Sequence, residues 1–438
     1  MADWHLVLLF VFGGLIVLMM TGMPIAICFM LINLIGMYLF FGGWIGLEHL
    51  INSVYATLNT FVLLPVPLFI LMGEVMFHSG IAPVLIDTID KWIGRIPGRL
   101  SLLAVAAGTL FSTLTGTSLA SVALLGSVLT PEMEKKGYQK PMSLGPILGS
   151  GGLAMMVPPS ALAVLCGAIG EISIGKLLIG IIVPGILMAF CYALYIIVRC
   201  TLQPSLAPSY DMDPVSLPEK IRLTVIYVLP QGIIVFFVVG FMILGIATPS
   251  EAAATGAFAS VILAFAYRRM NWTILKKATS GTVKITGMLF LIIAGASAFS
   301  EVLGSSGASA GITNLAKGLA VPPIVTVMVM QVILLLLGGF MDIVSIMMIT
   351  LPIFVPVIIS LDFNPVWFGV LFLLNMEMAT TSPPFGLTLF VMKGVAPKDT
   401  TMRDIYLAAL PFLGCDLIVM ALILAFPPIT LWLPAFMR

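Results

Sequence analysis

Four short stretches gather small polar residues, paired prolines and a carboxylate inside apolar surroundings: LTGTSLAS (114–121), GSGGLAMMVPPS (149–160), LGGFMDIVS (337–345) and MEMATTSPPFG (376–386). The Pro-Pro pairs at 158–159 and 383–384 remove two backbone donors each, and the first proline forces the residue before it out of α geometry. A spanning helix therefore splits into two half-helices at each pair. The freed carbonyls and neighbouring hydroxyls are hard oxygen ligands suited to a sodium ion, and half-helix N-termini direct partial positive charge at an anion. Candidate ion ligands are Thr117, Ser118 and Ser121 with Gly149–Gly152 in one half, and Asp342 and Ser345 with Thr380, Thr381 and Ser382 in the other. For each hydroxyl the competing use is a helix cap or a bond back to the carbonyl four residues earlier. Three roles are open to Asp342: cation ligand, proton carrier, or N-cap of the helix that follows. Glu377 flanks the last stretch and either serves it or faces an interface, whereas Glu74 and Glu301 lie near predicted span ends, where they can snorkel. No Lys or Arg falls in the four stretches, so an anion there would be held by dipoles, hydroxyls and bound cations.

The elements that position these stretches are membrane helices. Of the 438 residues, 60% are hydrophobic and 9% charged, and the mean hydropathy is +1.17; a soluble domain carries roughly 25% charged residues. The fold class is thus all-α and polytopic. A net charge of +1 gives no electrostatic case for nucleic acid or a polybasic lipid patch. The five cysteines (Cys28, Cys166, Cys191, Cys200, Cys415) lie in apolar runs without CxxC spacing and read as core packing. The N-terminal MADWHLVLLF lacks the basic region of a cleaved signal and reads as a first membrane helix. Spanning runs are placed at 5–21, 24–43, 51–79, 141–170, 176–199, 222–246, 250–267, 278–303, 364–393 and 405–434. Runs 100–132 and 322–357 are broken in the middle and read as re-entrant hairpins with tips near the midplane, since irregular backbone is tolerated only inside protein or a wet cavity.

Charge tests this path. With Lys135, Lys136 and Lys140 in the cytoplasm, Lys91, Arg95, Arg99, Arg199, Lys220, Arg222, Arg268, Arg269, Lys276, Lys277, Lys393, Lys398 and Arg403 also fall inside. Segments 42–50, 248–251 and 360–365 fall outside and contain no Lys or Arg. The count closes with ten crossings, two hairpins and both termini outside.

Proline positions recur at an offset of 225: Pro24 and Pro249, Pro97 and Pro322, Pro131 and Pro356, Pro158 and Pro383, Pro159 and Pro384. Random placement gives about one such coincidence, so the chain is a duplication. The repeats run about 5–201 and 221–434, joined by a Pro- and Ser-rich linker at 202–220, within one membrane domain 1–438. Basic loop 132–140 matches acidic segment 360–365, so the two copies are inverted, the architecture of secondary transporters with a site between the repeats.

The motifs TGTSLASVALLGSVLTPEMEKKGYQKP (115–141), GGLAMMVPPS (151–160), EISIGKLLIGIIVPGIL (171–187), ATPSEAAATGAF (247–258), GGFMDIVSIMMITLPIFVPV (338–357) and TSPPFGLTLFVMKGVAP (381–397) occur in order, and over about 6–430 the chain resembles the large membrane (M, DctM-like) subunit of TRAP transporters. The resemblance implies an elevator-type fold of the ion-transporter superfamily, in which a core carrying both hairpins moves against a static scaffold. It implies cotransport of at least two sodium ions. Carried over, Thr117, Ser118, Gly149, Gly151 and Pro158 belong to one ion site and Gly339, Asp342, Thr380 and Ser382 to the other. Substrate lies between the tips, beside Thr117, Ser118, Ser121, Ser345 and Thr381. The partners implied are a small DctQ-like membrane subunit, a periplasmic DctP-like binding protein, membrane lipid and an organic-acid substrate, in a bacterial inner membrane. Two departures stand out: Leu119 in the first tip, where many relatives carry a small residue, and the NMEMATTS segment with Glu377 and paired threonines.

The nearest rival is a stand-alone sodium/dicarboxylate-type anion symporter, which shares the inverted-hairpin plan without a binding protein. An intramembrane enzyme would need a nucleophile–base or metal set at depth, but His5, His49 and His78 lie near predicted membrane edges and no HExxH is present. Duplicated broken helices also suit alternating access better than a passive pore.

Overall fold

The computed structural model describes residues 4–94, 96–115, 118–208, 215–318, 321–384 and 386–437, apart from the side chains of 82 and 112–115. Among the described residues all regular structure is helical. Helices α1 (Trp4–Met20), α2 (Ile25–Phe40), α3 (Trp44–Leu58) and α4 (Pro65–His78) lead into the short amphipathic α5 (Ala82–Asp90). Helices α6 (Arg99–Thr115) and α7 (Ser118–Lys135) follow as an antiparallel pair. Then α8 (Lys140–Gly152) and α9 (Ala161–Ile169) form an interrupted helix, and α10 (Ile174–Gly180) with α11 (Ile182–Leu202) closes the first half. The second half comprises α12 (Leu217–Leu223), α13 (Leu229–Ile243), α14 (Pro249–Ala266), α15 (Trp272–Ser305), α16 (Ala308–Gly318), the pair α17 (Pro323–Gly338) and α18 (Ile343–Ser360), the interrupted α19 (Pro365–Thr381) and α20 (Leu387–Val395), and finally α21 (Met402–Ala425) and α22 (Pro428–Leu431).

By length and composition, seven of the described helical stretches are able to cross a membrane. Local chemistry sets their ends. Thr248 and Thr401 open α14 and α21 with capping boxes closed by Glu251 and Asp404. Asn271, Asn364 and Ser160 cap α15, α19 and α9 through their side-chain oxygens.

The two halves share one register. A shift of 225 carries the starts of α1, α7 and α8 onto those of α13, α18 and α19, and places Pro131 inside α7 over Pro356 inside α18. They also run in opposite directions. Lys140, just beyond α7, lies 2.7 Å from Asp399 and 3.7 Å from Asp404, at the start of α21. Trp367, just beyond α18, donates to Ile423 O at 3.0 Å, near the end of α21. The 24 residues of α21 separate those points by about 36 Å, so α7 and α18 finish at opposite ends of the bundle.

The basic loops are tied together at one of those ends. Leu100 N–H donates to Tyr138 Oη at 3.2 Å, Gln139 N–H to Leu206 O at 2.9 Å, and Trp92 Nε1–H to Thr224 Oγ1 at 2.6 Å. Arg99 pairs with Asp90 at 2.8 Å.

Two span expectations change. The run 51–79 is not one helix, because α3 and α4 are separated by residues 59–64 with a single 3-10 turn at Phe61–Leu63. Pro65 and Pro67 start a new helix there, whereas the equivalent positions of the other half hold Phe290 and Ile292, and α15 runs unbroken for 34 residues. The run 405–434 ends at Ala425, where Pro427 and Pro428 stop it. Helices α5 and α16 lie outside every span read from hydropathy; both are short and amphipathic, and their starts differ by 226 residues.

Glycine lets the core helices approach. A Cβ at Gly145 would lie 2.5 Å from Ala408 O, and one at Gly149 would lie 2.7 Å from a ring carbon of Phe412, so this small-xxx-small stripe seats α8 on α21. The outer helices α1, α2 and α3 pack on α15 around Val11, Phe29 and Phe299. There Asn33 Nδ2 donates to Gly295 O at 2.7 Å and Thr57 Oγ1 to Ser297 Oγ at 2.8 Å.

Candidate functional site

Both hairpins and both interruptions converge on one cavity of about 310 Å³. Its core wall comprises Ser118 and Leu119 from the start of α7, Pro159, Ala161 and Leu162 from the first interruption, Asp342, Ile343 and Val344 from the start of α18, and Thr380 and Leu387 from the second interruption. The facing wall is Phe69, Ile70 and Glu74 on α4 with Ile285, Met288 and Leu289 on α15. Ser118, Ala161, Ile343 and Leu387 are the first residues of α7, α9, α18 and α20. Four helix N-termini therefore line one space. Each N-terminus carries roughly half a positive charge, met in part by the side-chain caps Ser160 at α9 and Asp342 at α18.

Individual side chains are placed as follows. Ser118 is 3% exposed and its Oγ has no hydrogen-bond partner among the described residues, an arrangement that needs a ligand or water to satisfy it. Ser121, one turn on, is fully buried. Asp342 caps α18: Oδ2 accepts from Val344 N–H at 3.1 Å and Ser345 N–H at 3.2 Å, and Ser345 Oγ–H donates to Oδ1. The capping role is thus realised, and the same carboxylate lines the cavity. Thr380 Oγ1 donates to Glu377 O at 2.8 Å, Thr381 Oγ1 to Met378 O at 3.2 Å, and Ser382 Oγ to Ala379 O at 3.3 Å. These hydroxyls spend their hydrogens on backbone carbonyls, so only lone pairs are left for a cation.

Gly149 and Gly151 serve close packing and are not among the cavity residues; a Cβ at Gly151 would lie 2.2 Å from Val122 on α7. Gly339 ends α17 with Pro384 Cδ 3.7 Å from its Cβ position, so the second tip abuts the second interruption. Pro158 lines a different, apolar cavity with Val157 and Ile182, and it is Pro159 that faces the site. Thr117 lies outside the described residues.

Two further carboxylates lie at or close to the cavity. Glu74 reaches the cavity wall itself, 3.2 Å from His78. Glu377 is fully buried against Gly152, and neither of its oxygens has a hydrogen-bond partner among the described residues. Asp416, also buried, accepts from Tyr192 Oη nearby in the core. The signal for Glu74 was its α4 register with Phe69 and Ile70, which only the α15 contact reveals as an inner face.

Residues 12–429 match the family model for the tripartite ATP-independent periplasmic transporter DctM component. The chain belongs to the DctM family. It is 33% identical to the C4-dicarboxylate TRAP transporter large permease protein DctM of Pseudomonas aeruginosa, over 89% of this chain and 90% of that one. The ectoine TRAP transporter large permease protein TeaC of Halomonas elongata is 28% identical, covering 95% and 96%. The isethionate TRAP transporter permease protein DctMQ of Oleidesulfovibrio alaskensis is 27% identical, over 97% of this chain and 65% of that protein. In fold, the chain resembles the Alcanivorax borkumensis YdaH transporter, with a TM-score of 0.60 at 16% identity over 88% of both chains. This DctM-family chain is therefore a multi-span permease subunit of a TRAP transporter, not an enzyme.

Proposed function

We propose that this permease subunit drives sodium-coupled uptake of a small organic carboxylate handed over by a periplasmic binding protein. The supporting observation is the convergence of four helix N-termini and the unpartnered Ser118 hydroxyl on a single cavity. A carboxylate placed there meets backbone N–H groups at the positive ends of α7 and α20, while Ser160 already caps α9 and Asp342 caps α18. Sodium ions at the two tips, held by Ser118 and Thr117 with the Gly149–Gly151 segment and by Asp342, Thr380 and Ser382 with Gly339, would offset the charge of that anion. In this reading the hairpins and interrupted helices move together past α4 and α15, which stay with the outer helices. The two inverted units, 5–201 and 221–434 joined by 202–220, supply matching halves of the moving core. The basic end of the bundle faces the cytoplasm of an inner membrane, and both termini face the periplasm. A small four-helix subunit and the binding protein complete the complex; the DctMQ relative carries a permease name that combines the M and Q designations.

The test is uptake into liposomes holding the complete complex, with the binding protein loaded from a panel of C4-dicarboxylates, ectoine and isethionate. A sodium gradient is expected to drive accumulation, and an equal potassium gradient is not. Accumulation indifferent to sodium would overturn the coupling. Accumulation without the binding protein would favour the stand-alone symporter.

A further inference from the structure

The two walls of the cavity differ in charge. The core wall presents helix N-termini and the buried, unpartnered Ser118 hydroxyl. The wall from α4 and α15 presents Phe69, Ile70, Ile285, Met288 and Leu289 around one ionisable group, Glu74, and no Lys or Arg lines the cavity among the described residues. Lys284 lies on α15 beside Ile285 but is exposed and is not among the lining residues.

Glu74 is fixed rather than free to swing away. A Cβ at Gly281 would lie 2.2 Å from Glu74 Oε2, so α15 closes over one side of the carboxylate, and His78 meets that same Oε2 at 3.2 Å. The described partner of Glu74 is therefore confined to one oxygen, and Oε1 is left for a ligand. The side chain is 21% exposed, at the cavity edge. A dianion seated with one carboxylate on the helix N-termini would carry its second carboxylate toward this acid. At 4 Å and an effective dielectric near 20, two like charges repel by about 4 kcal/mol. A substrate with a positive nitrogen in that position gains instead of losing.

We propose that the substrate of this cavity is a zwitterion, a small carboxylate bearing an ammonium or amidinium centre, with Glu74 as the residue that reads the cation. Asp342, the other carboxylate on the cavity, belongs to the core wall and caps α18; with sodium bound beside it, Glu74, whose Oε2 meets His78, is the acid that remains on the facing wall. This rests on the transport reading above and adds the class of organic acid to it. The similarity to permeases named for ectoine and for C4-dicarboxylates leaves both classes within reach of the fold, and the wall charge separates them.

The experiment measures sodium-driven uptake by the complete reconstituted complex with a panel of zwitterionic carboxylates, including ectoine, beside succinate, fumarate and isethionate. Each is assayed with wild type, Glu74→Gln and Glu74→Asp. Uptake of a zwitterion is expected, with KM raised about tenfold or more in Glu74→Gln, the size of one charge-assisted hydrogen bond, and largely restored in Glu74→Asp. Maximal rate should change less than KM. Sodium-driven uptake of a dianion or isethionate alone would overturn the zwitterion and leave sodium coupling intact. So would a zwitterion whose KM ignores Glu74→Gln. No sodium-driven uptake of any panel member would overturn the transport reading and this inference together.

Discussion

The carboxylate of Glu377 rests directly on the backbone of Gly152: a Cβ added at 152 would lie 1.5 Å from Oε1 and 2.0 Å from Oε2. One residue ends α8 and the other lies in the last turns of α19, so the contact joins the two interruptions from behind the cavity. Overpacking a closed core costs about 1–3 kcal/mol when neighbours can yield. Here the obstacle is a buried acid with no room described for it, and Gly152→Ala is expected to lower thermal stability in detergent by at least that range. Glu377→Gln should leave stability unchanged or raise it, because it replaces an unpartnered buried carboxyl with a neutral group of the same shape. Melting of both purified variants checks the pair; a destabilised Glu377→Gln would mean that the carboxylate has a partner.

Asp342 carries two jobs that substitution can separate. Its Oδ2 accepts from two backbone N–H groups at the start of α18, and asparagine keeps that capping ability while losing the charge. Asp342→Ala should therefore cost about 1 kcal/mol of stability, and Asp342→Asn considerably less. Both variants should raise the sodium concentration for half-maximal uptake. Wild-type sodium dependence in Asp342→Asn would leave the residue as a cap alone.

Ser118 gives the opposite signature. Its buried hydroxyl has no partner among the described residues, so Ser118→Ala removes an unsatisfied polar group and should leave the melting temperature unchanged or slightly higher. If the oxygen serves an ion or substrate, half-saturation for sodium or substrate rises all the same. A variant that melts earlier, with unchanged uptake, would place Ser118 in the structure of the hairpin instead.

How much of this was legible in the sequence follows from where the information resides. The Pro-Pro pairs at 158–159 and 383–384 act locally, so the two interruptions could be placed from proline chemistry alone. The 225-residue offset and the basic loops gave the duplication and its inversion, since membrane helices are bounded by hydropathy and oriented by charge. The break between α3 and α4 was missed because residues 51–79 read as one largely apolar run across it; Pro65 and Pro67 were the available signal. Helices α5 and α16 were missed because a short amphipathic helix carries no spanning run. The placement of Glu74 was hidden for a different reason. Its position on α4 is local, but its placement in a cavity depends on α15, more than 200 residues later, and no periodicity encodes that pairing. Gly149 and Gly151 carry a packing demand that the sequence alone does not show: the space around their Cα atoms is filled by Phe412 and Val122.

The ion pair between Lys140 and Asp399 closes the basic end of the core, with Nζ 2.7 Å from Oδ2. It joins the start of α8 to the loop after α20, so it forms only if both elements finish on the same face. The hydrogen bond from Lys140 holds the Asp399 carboxyl below the usual carboxylate range. Because the folded value is depressed, the pair contributes stability above the unfolded pKa of about 3.9 and loses it as pH falls through the folded value. Asp399→Asn should therefore lower the melting temperature slightly at pH about 7, with the difference from wild type fading in acid, where the native carboxylate is itself protonated. The side chain of Asp399 is 71% exposed, so salt should screen the effect over a Debye length of about 8 Å at physiological ionic strength. Melting curves of both proteins across pH and salt measure it. A gap that persists unchanged into strong acid would assign the loss to packing of the 396–401 loop, because no charge would then remain on Asp399 for Lys140 to hold.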